Sequence, residues 1–197
     1  FIGSEDAFIR KYKEDGTLDW FKIIGTSNQD LSKSIEVSED ESIYIGGYTH
    51  GDLDGELNSG DADGFISKYS SDGTLEWTKL IGSSEEDKVN DIAIDHNGSI
   101  YATGEIGEGV LGGRDIFVSK FDEDGTEDWR VALGTNESDR SYSIATDSDG
   151  YIYVAGDSRG LLDVDVEGRE EQENQGRTDV LIIKLDPSDG AIKWQKL

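Results

Sequence analysis

One pattern, written four times, sets the limits on what this chain can fold into. Asp63–Trp77 reads DGFISKYSSDGTLEW, Asp6–Trp20 reads DAFIRKYKEDGTLDW, Asp115–Trp129 reads DIFVSKFDEDGTEDW and Asp179–Trp194 reads DVLIIKLDPSDGAIKW. Each copy is an apolar run, a turn built on Asp-Gly, and a second run with Trp four residues after the Gly. From Trp20 to Trp77 to Trp129 to Trp194 the spacings are 57, 52 and 65 residues. A motif returning at such a period belongs to a repeat architecture, whose units bury apolar surface by stacking on one another.

Between the copies lies a second conserved spacing of strand-like runs. Ser34-Ile35-Glu36-Val37 alternates polar and apolar, the acidic turn Ser38–Glu41 follows, and Ser42-Ile43-Tyr44-Ile45 runs into Gly46-Gly47. Asp91–Ile94, His96-Asn97-Gly98 and Ile100–Ala102 repeat that order, as do Ser143–Thr146, Ser148-Asp149-Gly150 and Ile152–Val154. β-Branched and aromatic residues, period-two alternation and Asp-Gly or Asn-Gly turns predict strands. No window keeps helical spacing, so almost no helix is expected. Four short antiparallel strands per unit, repeated roughly every 50 residues, describe a β-propeller blade. Gly25, Gly82 and Gly134 close the Trp runs, with Asp30, Asp87 and Asp139 five residues on, while Gly47, Gly104 and Gly156 close the Tyr runs. Recurrent Gly at strand ends points to a backbone with positive φ or to close approach of a neighbour. The Trp rings are expected as core between blades, each worth at most roughly 4–6 kcal/mol if fully buried.

Charge narrows the partners. The 197 residues hold 44 acidic and 18 basic side chains, a net charge of −26. With only 34% hydrophobic residues, such a chain would be disordered if the apolar positions were scattered. They are clustered in strands, so the charge is assigned to loops and solvent-facing positions. That surface repels nucleic acid and anionic membranes and favours divalent cations, basic partners or a salty medium. The absence of Cys excludes disulfides and thiol chemistry. No apolar run approaches the roughly 20 residues of a membrane span, so membrane insertion is not expected. The lack of Met and the start at Phe1 suggest a piece of a longer, secreted precursor.

The succession DAFIRKY, DGTLDW, IGTSNQD, SIEVSED, SIYIGGYT resembles the bacterial β-propeller repeat family called SBBP, and in strand order it is similar to NHL repeats. The resemblance covers nearly the whole chain. It implies an all-β propeller of four-stranded antiparallel blades within secreted or surface proteins, and it implies no catalytic residues. On the strand order of NHL repeats the chain (1–197) divides into an outer half blade at 6–25 and complete blades at about 31–81, 88–134 and 140–197. The last carries an acidic insertion at 160–178, readable as a partner-binding flap or as a disordered tip. Three blades and a half fall short of a ring, since propellers use about 4–8. The expectation is a segment of a larger propeller, or one completed by another copy. Exposed strands at 6–12 and 192–197 would be the edges available for pairing with another chain.

Acidic loops are the most suggestive place for chemistry. Asp52-Leu53-Asp54-Gly55-Glu56 and Asp163-Val164-Asp165-Val166-Glu167 occupy equivalent places after the Tyr run, and Asp61 and Asp63 lie close to the first. Alternating carboxylates around a tight turn match the oxygen ligands that Ca²⁺ takes, so Asp52, Asp54, Glu56, Asp61, Asp63, Asp163, Asp165 and Glu167 are the candidate ligands. The bland alternative is an Asp-Gly turn on an acidic surface. The Asp-Gly hairpins differ in spacing from the Asp box of sialidase propellers. Gly107–Gly112 fits Gly-x-Gly-x-x-Gly but precedes a strand rather than the helix a dinucleotide needs. His50 and His96 sit at different blade positions, which argues against a shared metal or triad. Two readings follow. One is a non-catalytic extracellular or cell-surface structural or adhesive module that contacts blades or copies of itself, a surface protein or a glycan, with Ca²⁺ in its acidic loops. The other is a propeller-type polysaccharide hydrolase or lyase, which would need converging carboxylates in a concave site.

Overall fold

The alternation that predicts strands is realised throughout. A computed structural model describes residues 2–107, 112–159 and 178–196, and every regular element among them is a β-strand. The chain separates into two compact units, 1–89 and 90–197.

The first unit begins with a hairpin of β1 (Ala7–Tyr12) and β2 (Leu18–Ile24). It continues with a four-stranded antiparallel sheet of β3 (Asp30–Val37), β4 (Ile43–Thr49), β5 (Asp63–Tyr69) and β6 (Leu75–Ile81), in that order. β7 (Lys88–Ile94) crosses the unit boundary and opens the next such sheet, with β8 (Ile100–Ile106), β9 (Asp115–Phe121) and β10 (Glu127–Leu133). The second unit closes with β11 (Arg140–Thr146), β12 (Ile152–Ser158), β13 (Asp179–Leu185) and β14 (Ile192–Lys196), again in sequence order. Each sheet therefore meanders strand by strand, as expected of propeller blades.

The Asp-Gly turns work as their chemistry predicts. Gly16, Gly73, Gly125 and Gly190 take φ of 80°, 82°, 83° and 72°, a left-handed conformation that glycine adopts without strain. At the second turn the Asp72 carboxylate accepts from Ser70 Oγ (2.6 Å) and Thr74 N (3.0 Å). These bonds hold its pKa down at about 2. One strand register then slips beside every turn, at Lys11/Tyr12, Lys68/Tyr69, Glu127/Trp129 and Lys184/Leu185.

Within the first unit Ala7, Ile9 and Ile24 pack on Ile43, Ile45, Phe65 and Tyr69 of the following sheet. Within the second, Ile116 and Val118 pack on Leu181, Ile183 and Leu185 in the same way. The Trp residues sit differently from the expected core role. Trp20 and Trp129 are only half-buried: Trp20 Nε1 donates to the Ser71 carbonyl (3.1 Å) and Trp129 Nε1 to the Pro187 carbonyl (3.2 Å). Gly73 and Gly190 lie beneath the two rings, where a Cβ would come within 3.0 and 2.8 Å. The indole thus reaches over the next sheet's hairpin with its polar edge satisfied, and its ring stays partly in water.

Asp30, Asp87 and Asp139 are buried; Asp30 and Asp139 join consecutive sheets within their own units, and Asp87 makes the same bonds inside the first unit. Their backbone N–H groups donate to the carbonyls of Glu5, Ala62 and Arg114 at 2.7–2.8 Å. Their carboxylates accept from Thr26 N, Ser83 N and Thr135 N at 2.5–2.6 Å. This explains the recurrent Gly-to-Asp spacing.

Asp63, at the start of β5, is also fully buried. One oxygen accepts from Ser59 N at 2.8 Å, the other has no hydrogen-bond partner, and the carboxylate lies on Gly82, where a Cβ would come within 2.1 Å. Burial pushes its pKa up, the Ser59 bond pulls it back, and the negative Asp87 raises it again. A carboxyl with a raised folded-state pKa binds its proton more tightly when folded. Its contribution is therefore fully present below the ordinary carboxylate range and is lost as pH rises through the folded pKa. Chemical denaturation of the native chain and of Asp63→Asn between pH 3 and 8 tests this. The variant is expected to gain stability relative to the native chain as pH rises, then to level off; a pH-independent difference would refute the assignment.

Candidate functional site

β1 is by sequence the counterpart of β5, β9 and β13. Those strands each pair with a neighbour on both sides. β1 pairs with β2 alone, and among the described residues no strand lies along its other edge. A row of backbone donors and acceptors is left there, which makes such an edge a template for another strand.

Beside that edge opens a cleft of about 440 Å³. Ile9, Tyr12 and Trp20 form one wall and Ile35, Val37 and Ile43 the other. Ile35 and Val37 are 56% and 59% exposed, whereas Ile92 and Ile144, the two counterparts of Ile35, are 1% and 6% exposed. The same residue type at the same place in the repeat is core in the later sheets and surface here. Two isolated aliphatics on a strand would be unremarked, but here six apolar side chains line one concave surface.

Three polar groups rim the apolar walls: Arg10, Lys11 and Glu41. Lys11 Nζ is anchored by the Ser71 carbonyl at 2.7 Å. Arg10 spreads its guanidinium over Phe8 and Phe21, 5.0 and 5.1 Å from the ring centroids. Glu41 occupies the tip of the β3–β4 turn with φ 67°. The two matching turns put Gly98 (φ 83°) and Gly150 (φ 84°) there. Left-handed backbone costs a non-glycine residue about 1 kcal/mol, and such strain gathers at functional sites.

Among the described residues the candidate metal ligands do not meet. Asp52 accepts from Asn58 N (3.0 Å), Asp54 from Thr78 Oγ1 (2.7 Å), and Glu56 pairs with Lys79 at 3.4 Å. Asp61 lies 3.6 Å from His50, which also contacts the Asp61 carbonyl. Asp63 is buried against Gly82. Each carboxylate serves its own local partner, and among the described residues no three acidic or His side chains gather around one point. Asp163, Asp165 and Glu167 lie outside the described residues, as do most of the 160–178 insertion and positions 108–111 of the Gly-rich stretch. A second depression of about 360 Å³ lies between the turns Asn97–Ser99 and Asp122–Asp124. It is a polar dish, with Asp124 engaged by Thr126 N at 2.9 Å.

The cleft residues were reachable from the repeats by comparing copies rather than by searching for motifs. Glu41 is out of line with two glycines.

The comparisons with known proteins agree with this architecture. Two stretches of the chain match the SBBP beta-propeller repeat, residues 76–110 and 128–163. No curated protein matches the chain. Among solved structures it is similar to a protein of unknown function from Bacteroides caccae, with a TM-score of 0.55 and 11% identity over 95% of this chain and 53% of that one. The likeness is one of fold, and this chain spans about half the length of that protein.

Glu41 yields a direct test. Glu41→Gly is expected to stabilise the chain by about 0.5–1 kcal/mol in urea denaturation, because glycine relieves the left-handed turn. Unchanged or lower stability would show that the carboxylate is held there by compensating contacts.

Proposed function

We propose that this chain is a non-catalytic β-propeller module that works by protein contact, outside the cell or at its surface. The observation that carries the reading is the cleft beside β1: apolar walls, an open strand edge and a thin polar rim. Such a lining recognises another protein's backbone and apolar side chains. The extracellular setting draws on the net charge of −26, whose self-repulsion a salty medium screens. The hydrolase or lyase alternative has less support. Glycoside hydrolysis uses two carboxyl groups about 5–9.5 Å apart, and Glu41 is the one carboxylate lining this cleft.

Two measurements test the reading together. A solvatochromic dye such as anilinonaphthalene sulfonate is expected to fluoresce in the native cleft and to lose at least half that signal in Ile35→Glu/Val37→Glu, with the thermal melt retained. Incubation with a panel of polysaccharides is expected to release no reducing ends or unsaturated products above blank. Product release that disappears in Glu41→Gln would overturn the proposal in favour of an enzyme.

A further inference from the structure

The three complete sheets share one transverse row of side chains. Tyr44 stands opposite Lys68 and Lys68 opposite Trp77; Tyr101, Lys120 and Trp129 form the same row, and so do Tyr153, Lys184 and Trp194. Across each row the Tyr and Trp rings meet, with centroids 6.0, 6.2 and 6.0 Å apart. In the first and third rows the Lys ammonium also lies over the Tyr ring, at 5.7 and 4.8 Å. The hairpin β1–β2 holds the last two members of this row, Lys11 opposite Trp20. Among the described residues no Tyr fills the remaining place, and that place is the cleft.

We propose that the cleft binds an antiparallel β-strand with the chemistry of β4, β8 and β12, a Tyr flanked by apolar residues, which pairs with the free edge of β1 and sets the Tyr ring against Trp20. The inference rests on the protein-contact reading above and names the partner class. The register follows from the complete sheets: the Tyr of the incoming strand lies opposite Lys11, its apolar flanks lie opposite Tyr12 and Arg10, and a small residue such as Gly46 or Ala155 lies opposite Ile9.

Three further features define the partner. In the second unit Tyr101 and Ala93 join the cluster that buries Ile144; an incoming Tyr does the same for Ile35, the matching residue left bare here. The hydroxyls of Tyr101 and Tyr153 donate to Asp95 and Asp147 at 3.1 and 3.0 Å, each six residues earlier in the same hairpin. The partner is therefore a hairpin with Asp six residues before its Tyr, which brings its own acceptor for the buried hydroxyl. Finally, Lys11 and Arg10 at the rim favour a strand led in by an acidic turn, the kind that precedes every second strand of this repeat. Main-chain pairing supplies affinity and the Tyr pocket supplies selectivity.

The probe is a synthetic peptide with the sequence of Lys88–Ile106, which contains Asp95, the Asn97-Gly98 turn and Tyr101. Its binding to the full chain is followed by fluorescence anisotropy of the labelled peptide and by amide hydrogen exchange of the chain. Expected are saturable binding, at least a tenfold loss with the Tyr101→Ala peptide, a similar loss with the Ile35→Glu chain, and slowed exchange at Phe8–Tyr12. Absence of saturable binding up to millimolar peptide overturns the proposal, as does binding indifferent to the Tyr or protection confined to other strands. Concentration-dependent self-association of the chain that protects Phe8–Tyr12 and is not displaced by the peptide makes the occupant a second copy and also overturns it. Dye binding that remains sensitive to Ile35→Glu while the peptide fails removes this partner but leaves the protein-contact reading standing; loss of both removes both.

Discussion

At Asp30 and Asp139 a single residue joins two sheets of one unit, its backbone N–H tied to a carbonyl just ahead of the preceding strand pair and its carboxylate capping the loop in between, and Asp87 makes the same bonds inside the first unit. These side chains are buried, so each charge is tolerated only because hydrogen bonds replace its water. Within the first unit Ala7 and Ile9 meet Phe65 and Tyr69, and within the second Ile116 and Val118 meet Leu181 and Leu185. The Trp indole then falls within reach of the next hairpin's carbonyl. A bond between backbone groups fixes the geometry, and apolar burial supplies most of the free energy.

That division of labour makes exposure informative. A blade carries apolar residues on both faces, so a position buried in one copy and bare in another reports a missing neighbour. Phe65 and Phe117 are fully buried, while Phe8 at the same place is 56% exposed. On the opposite face, Ile116 and Val118 are fully buried, while the matching Val180 and Ile182 are exposed. What sets the β1 cleft apart is the coincidence of bare aliphatics with a free backbone edge and a Lys–Trp row lacking its Tyr.

Much of the architecture was legible in the chain, because the period-two runs and Asp-Gly turns are local signals and each recurs. The strands around Phe65, Phe117 and Leu181 needed only alternation and turn chemistry to be placed. The role of Trp was less legible: an indole seated on Gly73 or Gly190 requires knowing which hairpin faces which, a long-range fact with no local trace. The acidic loops show the same limit: sequence proximity of Asp52, Asp54 and Glu56 suggests a shared ion, and only the folded loop shows their carboxylates on Asn58, Thr78 and Lys79. The cleft was written in differences between copies, such as Glu41 against Gly98 and Gly150, which a search for shared motifs passes over.

The two SBBP matches begin at Glu76 and Asp128, inside β6 and β10, and each runs on past the second strand of the following sheet. The repeat in sequence and the hydrogen-bonded sheet are thus out of phase. A gene segment one period long can be duplicated or lost without damage, since a strand of the β6 kind is replaced by another of the same kind and every sheet stays whole. Copy number in such a chain is therefore free to drift by whole periods. Breakage within a period is what recombination must avoid, because it splits a sheet and bares an adhesive edge.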